Sequence, residues 1–128
     1  MLLHLTDLSD ESLQNQISRQ IRAKILAGEL PADSSLPSIR GLAREQRVSV
    51  ITVQRAYEHL LHEELIHSRR GKGFFVSKVS RHEKKDISKQ RLMDNLERPL
   101  IAAIDEGLPP PEIIKIVEKL IKKINNQK

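Results

Sequence analysis

The chain has 128 residues, enough for one domain of ordinary size or two small ones. Hydrophobic residues make up 38% and the only aromatics are Tyr57, Phe74 and Phe75, so a core must be built from Leu, Ile, Val and Ala and gains from a second subunit. The absence of cysteine excludes disulfides, thiolate metal sites and a thiol nucleophile, while the net charge of +5 suggests a polyanionic partner.

No run approaches the length of a membrane span. The start, MLLHLTDLSDE, lacks a basic region and acquires acids at once, so it is not read as a secretory signal, and a cytoplasmic location is expected.

Residues 11–27 read as a helix, because Leu13, Ile17, Ile21 and Ile25 recur at i+4. Ser9 and Asp10 are the candidate N-caps, and Gly28 stands where a C-terminal glycine belongs. The following ELPADSSLPS reads as a loop. Ser38 opens a second helix, about 38–46, with Ile39, Leu42 and Ala43 inward and Arg40, Arg44 and Glu45 outward.

The stretch RVSVITVQRAYEHL is rich in β-branched residues, yet it does not alternate as a strand would. In a helical frame Val53, Ala56, Tyr57 and Leu60 fall on one face, with Ser49 as N-cap. A helix of about 50–63 follows the second after a turn of four residues, which makes a helix-turn-helix. The runs 65–69 and 74–78 form a β-hairpin around Arg70-Gly71-Lys72-Gly73, with one phenylalanine inward and one beside the wing.

From Ser80 the composition becomes highly charged. Apolar residues at helical spacing through 84–105 define another helix, which Pro99 should kink or divide. Gly107 and three prolines end it, and a last helix of about 111–125 carries a broad apolar side. The fold class expected is mostly α with a small β-hairpin. A winged helix-turn-helix domain over 1–78 is followed by a two-helix dimerisation region over 79–128.

The candidate DNA-facing positions follow from this arrangement. Ser49, Val50, Thr52, Gln54 and Arg55 open the recognition helix, where base edges are read. Glutamine pairs with adenine and valine meets a thymine methyl. Ser38 and Arg40 lie where the second helix crosses the backbone. Arg69, Arg70, Gly71, Lys72 and Gly73 place a basic hairpin along phosphates. Between Ser38 and Gly73 seven basic residues stand against four acidic ones, a net +3.

Met93, Leu96, Leu100, Ile104, Ile113, Val117, Leu120 and Ile121 are the candidate dimerisation positions, since stripes of this width need a partner. His59 and His62 stand at i, i+3 but lack a third ligand, so no metal or cofactor is expected. No catalytic constellation is present in the sequence, and an enzyme is not expected.

Residues 36–76, LPSIRGLAREQRVSVITVQRAYEHLLHEELIHSRRGKGFFV, resemble the DNA-binding domain of GntR-type transcription regulators. The features that carry the resemblance are LPS, then R and LA, then VS with TV and RAY, then RGKG with FV; ILAGELP upstream matches as well. The TVQRAY wording and short C-terminal region are most similar to the YtrA subfamily. The resemblance implies DNA contacts at Arg40, at the start of the recognition helix and around Arg70-Gly71. It also implies a repressor, commonly beside transporter genes. Many relatives carry arginine at the positions of Val50 and Gln54, so their base preferences do not transfer, and the loop ADSS lacks the usual Pro-Gly.

The expected function is therefore a homodimeric regulator of a pseudo-palindromic operator in double-stranded DNA. An effector-gated sensor and a protein-interaction winged helix are the alternatives. The sequence names no effector.

Overall fold

The computed structural model describes residues 1–127. Its elements run α1 (Leu13–Leu26), α2 (Ile39–Gln46), α3 (Val50–His62), β1 (Ile66–Arg69), β2 (Gly73–Val76), α4 (Arg81–Asp105) and α5 (Pro110–Asn126). The chain divides into two compact units, residues 1–85 and residues 86 onward.

The first unit is a three-helix winged domain. Ile17, Ile21 and Ile25 of α1, Leu42 of α2, and Val53, Ala56, Tyr57 and Leu60 of α3 have no exposed surface. The i, i+3, i+4, i+7 spacing of the α3 residues aims all four at α1 and α2. Leu65, Ile66 and Val76 close the core from the hairpin side.

Both short helices are capped as their first residues suggest. The Ser38 hydroxyl accepts from the Gly41 N–H at 3.0 Å, and the Ser49 hydroxyl from the Thr52 N–H at 3.1 Å. The cap of α1 departs from expectation. Ser12, not Ser9 or Asp10, accepts from the Asn15 N–H. Ser9 instead accepts from the Glu11 N–H at 3.0 Å, which uses it in the turn before the helix. Gly28 is left-handed, φ +83°, as its place after α1 demands.

Two further helix ends use left-handed residues that are not glycine. Arg47 (φ 57°) ends α2 and lets the Val48 N–H reach the Ala43 carbonyl at 3.0 Å. Glu64 (φ 61°) does the same after α3, with the Leu65 N–H on the Leu60 carbonyl at 3.1 Å.

The hairpin is shorter than its sequence suggests. Arg69 pairs with Gly73, so Gly73 belongs to β2 and the turn is Arg70-Gly71-Lys72. The Lys72 N–H closes the turn on the Arg69 carbonyl at 2.9 Å, and Gly71 (φ +74°) supplies the left-handed residue. The preceding loop is not free of strand structure. Ser35 bridges Phe75, the Leu36 N–H donates to the Phe74 carbonyl (2.9 Å), and the Val76 N–H donates to Ser34 (2.9 Å). Residues 34–36 thereby cover the free edge of β2.

A segment at the N-terminus lies along α1, held by glutamine side chains. The Gln20 amide accepts from the His4 N–H (2.8 Å) and donates to the His4 carbonyl (2.7 Å). Gln16, which is buried, treats Thr6 likewise (2.9 and 2.8 Å) and also donates to the Glu11 carbonyl at 2.8 Å. A glutamine amide presents the same donor and acceptor as a peptide unit, so it stands in for a neighbouring strand.

In α4 and α5 no residue is buried. Ser80 caps α4 by accepting from the Glu83 N–H at 3.1 Å. Pro99 lies inside α4 and does not divide it. It removes one backbone donor, and the carbonyl it would have met, on Asn95, belongs to an exposed residue that water can serve. Gly107 (φ +91°) ends α4, and Pro110 opens α5 at its first position, where a missing N–H costs nothing.

Candidate nucleic-acid interface

The N-terminal turn of α3 projects from the first unit. Val50 and Ile51 are 39% and 59% exposed, although both are large and apolar. Gln54 and Arg55 are exposed beside them. The opposite face of the same helix is the core face, so burial of Val53, Ala56 and Tyr57 dictates which residues point out.

The side chains in that turn differ in their freedom. The Thr52 and Ser49 hydroxyls hydrogen-bond each other at 2.8 Å, while Ser49 also caps the helix. The Gln54 amide donates to the Glu58 carboxylate at 3.3 Å, one turn along. Arg55 has no acidic partner among the described residues, and neither do Arg40, Arg70 and Lys72. Four uncompensated cations at the start of α2, on α3 and at the tip of the hairpin make a basic surface.

Tyr57 joins the parts. Its hydroxyl donates to the Pro37 carbonyl at 2.8 Å, immediately before the cap of α2. Its ring meets Phe74 of β2 edge-on, with centroids 5.0 Å apart. Burial pushes its phenol well above the usual tyrosine range, with the Glu45 carboxylate adding to the shift. Phe74 is the inward phenylalanine and Phe75 the outer one, stacked on His67 at 6.0 Å.

Arg69 is held differently from the other candidate contacts. Its guanidinium lies 4.3 Å over the Phe75 ring and donates to Asp33 at 3.3 Å. Nothing in the sequence singled out Asp33. Ser38 has its hydroxyl committed to the cap of α2. Gly71 and Gly73 are exposed at the wing. His59 and His62 belong to no group of three or more metal-ligating side chains among the described residues. No helix among those residues is long and apolar enough to cross a membrane.

A helix-turn-helix with an exposed second helix and a basic hairpin defines the winged helix-turn-helix class of DNA-binding regulators. The family model for bacterial regulatory proteins of the gntR family matches residues 13–76. The chain belongs to this family.

The HTH-type transcriptional repressor NagR of Bacillus subtilis is 41% identical over 63 residues, 49% of this chain and 26% of its own length. The chain thus spans about a quarter of that relative. A GntR family transcriptional regulator from Listeria monocytogenes superposes with a TM-score of 0.72 at 26% identity, covering 90% of this chain and 98% of that one. YtrA from Sulfolobus acidocaldarius, a GntR-family transcription factor, gives 0.58 at 28% identity, covering 73% and 99%.

Proposed function

We propose that this protein is a homodimeric repressor of the YtrA type that binds a pseudo-palindromic operator. Residues 1–78 read the DNA and residues 79–128 form the dimer. The observation that carries the reading is the exposed start of α3, where Val50, Gln54 and Arg55 are offered outward beside a wing bearing Arg70 and Lys72. Val50 and Gln54 read base edges, with Gln54 leaving Glu58 to pair with adenine. Arg40, Arg55, Arg70 and Lys72 bind phosphates and set the salt dependence.

The dimer is supported by α4 and α5, which bury no residue within the chain. Met93 is 67% exposed and Leu120 50%, at spacings that align each with further apolar residues on its own helix. A two-fold dimer covers such stripes and presents two recognition helices to half-sites about one helical turn apart. The YtrA assignment is supported by the near-complete coverage of two short structural relatives. Transporter genes as targets, and a cytoplasmic location, follow from the resemblance to that subfamily.

Selection of bound duplexes from a random pool at roughly physiological salt tests the reading. Enrichment of a two-fold palindrome is expected, and it gives the operator for a search of neighbouring genes. Binding without enrichment that vanishes as salt rises would remove the sequence-specific role.

A further inference from the structure

Asp33 sits before the wing in an unusual posture. Its backbone is left-handed, φ 65°, and its N–H donates to the Val76 carbonyl at 2.8 Å, so the residue is fixed against β2. From there its carboxylate faces two cations, Arg69 of β1 and Lys78, two residues past β2. One oxygen accepts from Arg69 at 3.3 Å, and the other lies 3.7 Å from the Lys78 ammonium.

The turn itself does not need a carboxylate. A glycine holds a left-handed backbone at less cost, and aspartate is merely tolerated there. Nor does the pairing add much to the fold. Asp33 and Arg69 side chains are both 45% exposed, and exposed pairs contribute only about 0–1 kcal/mol. The carboxylate does sit within ion-pair reach of both cations, Arg69 at 3.3 Å and Lys78, itself 81% exposed, at 3.7 Å. Arg69 is further held by the Phe75 face, 4.3 Å from its guanidinium. Arg70 and Lys72, at the tip, have no such acid among the described residues.

We propose that Asp33 is a positioning residue that holds Arg69 and Lys78 back from the phosphate backbone. The wing then engages DNA through Arg70 and Lys72, and the sequence-blind part of the binding stays small. This rests on the DNA-binding reading above and deepens it: Asp33 sets the salt-sensitive share of the affinity for any duplex. Phosphate contacts supply affinity to every sequence alike, so two fewer per chain lower operator and random-duplex binding by about the same factor.

The experiment compares the wild type with Asp33→Gly and Asp33→Asn on the selected operator and on a random duplex, over a salt series. With the carboxylate gone, the slope of log affinity against log salt is expected to steepen by about one per freed cation. Affinity for the operator and for random duplex should rise several-fold together, with the preference between them unchanged. In an Arg69→Gln/Lys78→Gln background the same changes at Asp33 should leave the slope unaltered. A slope unmoved by Asp33→Gly overturns the proposal. So does an equal change in the doubly substituted background, which would mean simple repulsion between Asp33 and DNA.

A second measurement needs no DNA. The Arg69 guanidinium N–H signals, followed by NMR, should exchange with water faster in Asp33→Asn than in the wild type; equal rates overturn the clamp. A wild type that binds no duplex would overturn the DNA-binding reading instead, with the guanidinium measurement still deciding whether the clamp exists.

Discussion

The Tyr57 hydroxyl reaches across from α3 to the Pro37 carbonyl at 2.8 Å, so one side chain ties the recognition helix to the residue preceding the cap of α2. The same ring packs edge-on against Phe74 of the wing. The angle between the two helices of the motif, and the seat of the hairpin on them, therefore share a single buried residue.

Tyr57→Phe keeps the packing and leaves the Pro37 carbonyl without its donor. The loss should be about 1–2 kcal/mol in urea unfolding. Alkaline pH gives an independent check. The folded-state pKa of Tyr57 is raised by burial above the unfolded value of about 10. Stability from this group is thus complete below pH 10 and falls as pH rises beyond it, because only the unfolded chain releases the proton readily. The wild type should lose stability above pH 10 more steeply than Tyr57→Phe. Parallel pH profiles would show that Tyr57 ionises freely in the fold.

Arg22 of α1 grips Glu63, just after α3, with three contacts of 2.6–3.2 Å. The side chains are 11% and 25% exposed, so the pair is largely out of water. Arg22→Met should cost about 2–3 kcal/mol, since a half-buried carboxylate loses its guanidinium. The double variant with Glu63→Gln should recover part of this, giving a coupling of about 1 kcal/mol or more. Strict additivity would reduce the pair to a solvated contact.

Within the recognition surface two substitutions should act in different ways. Gln54→Ala is expected to relax base choice at one position per half-site, by about 1–3 kcal/mol, measured as competition between operator variants. Lys72→Ala should weaken all duplexes about equally and flatten the salt slope by about one. An unchanged site preference would take Gln54 out of the reading set, and a sequence-selective loss would take Lys72 off the phosphates.

Ile121 lies on the apolar side of α5 and is 52% exposed in the single chain. Ile121→Asp should therefore spare the fold of the first unit while abolishing the proposed dimer. Sedimentation should show a monomer with an unchanged winged-domain circular dichroism, and operator affinity should fall by an order of magnitude or more as the linkage of the half-sites is lost. A dimer that survives would place the interface elsewhere.

Most helices of this protein are legible in the chain. The spacing of Ile17, Ile21 and Ile25, the caps Ser38 and Ser49, and the stripe Val53, Ala56, Tyr57 and Leu60 identify the helix-turn-helix before any coordinates. Periodicity and capping are local, involving residues within about two turns of each other. The same locality makes the wing visible, through alternation and Gly71.

Tertiary structure decided what depends on partners distant in sequence. Ser35 becomes strand only because Phe75 lies opposite, and one bridged residue has no period to read. Gln16 and Gln20 look like the polar side of an amphipathic helix until the backbone of Thr6 and His4 arrives to use their amides. Arg47 and Glu64 end helices in a left-handed conformation that the sequence marks with no glycine, because packing of Val48 and Leu65 outweighs the local steric cost. Asp33 reads as one polar loop residue among several. Only the folded chain sets its carboxylate within reach of Arg69 and Lys78, 36 and 45 positions away.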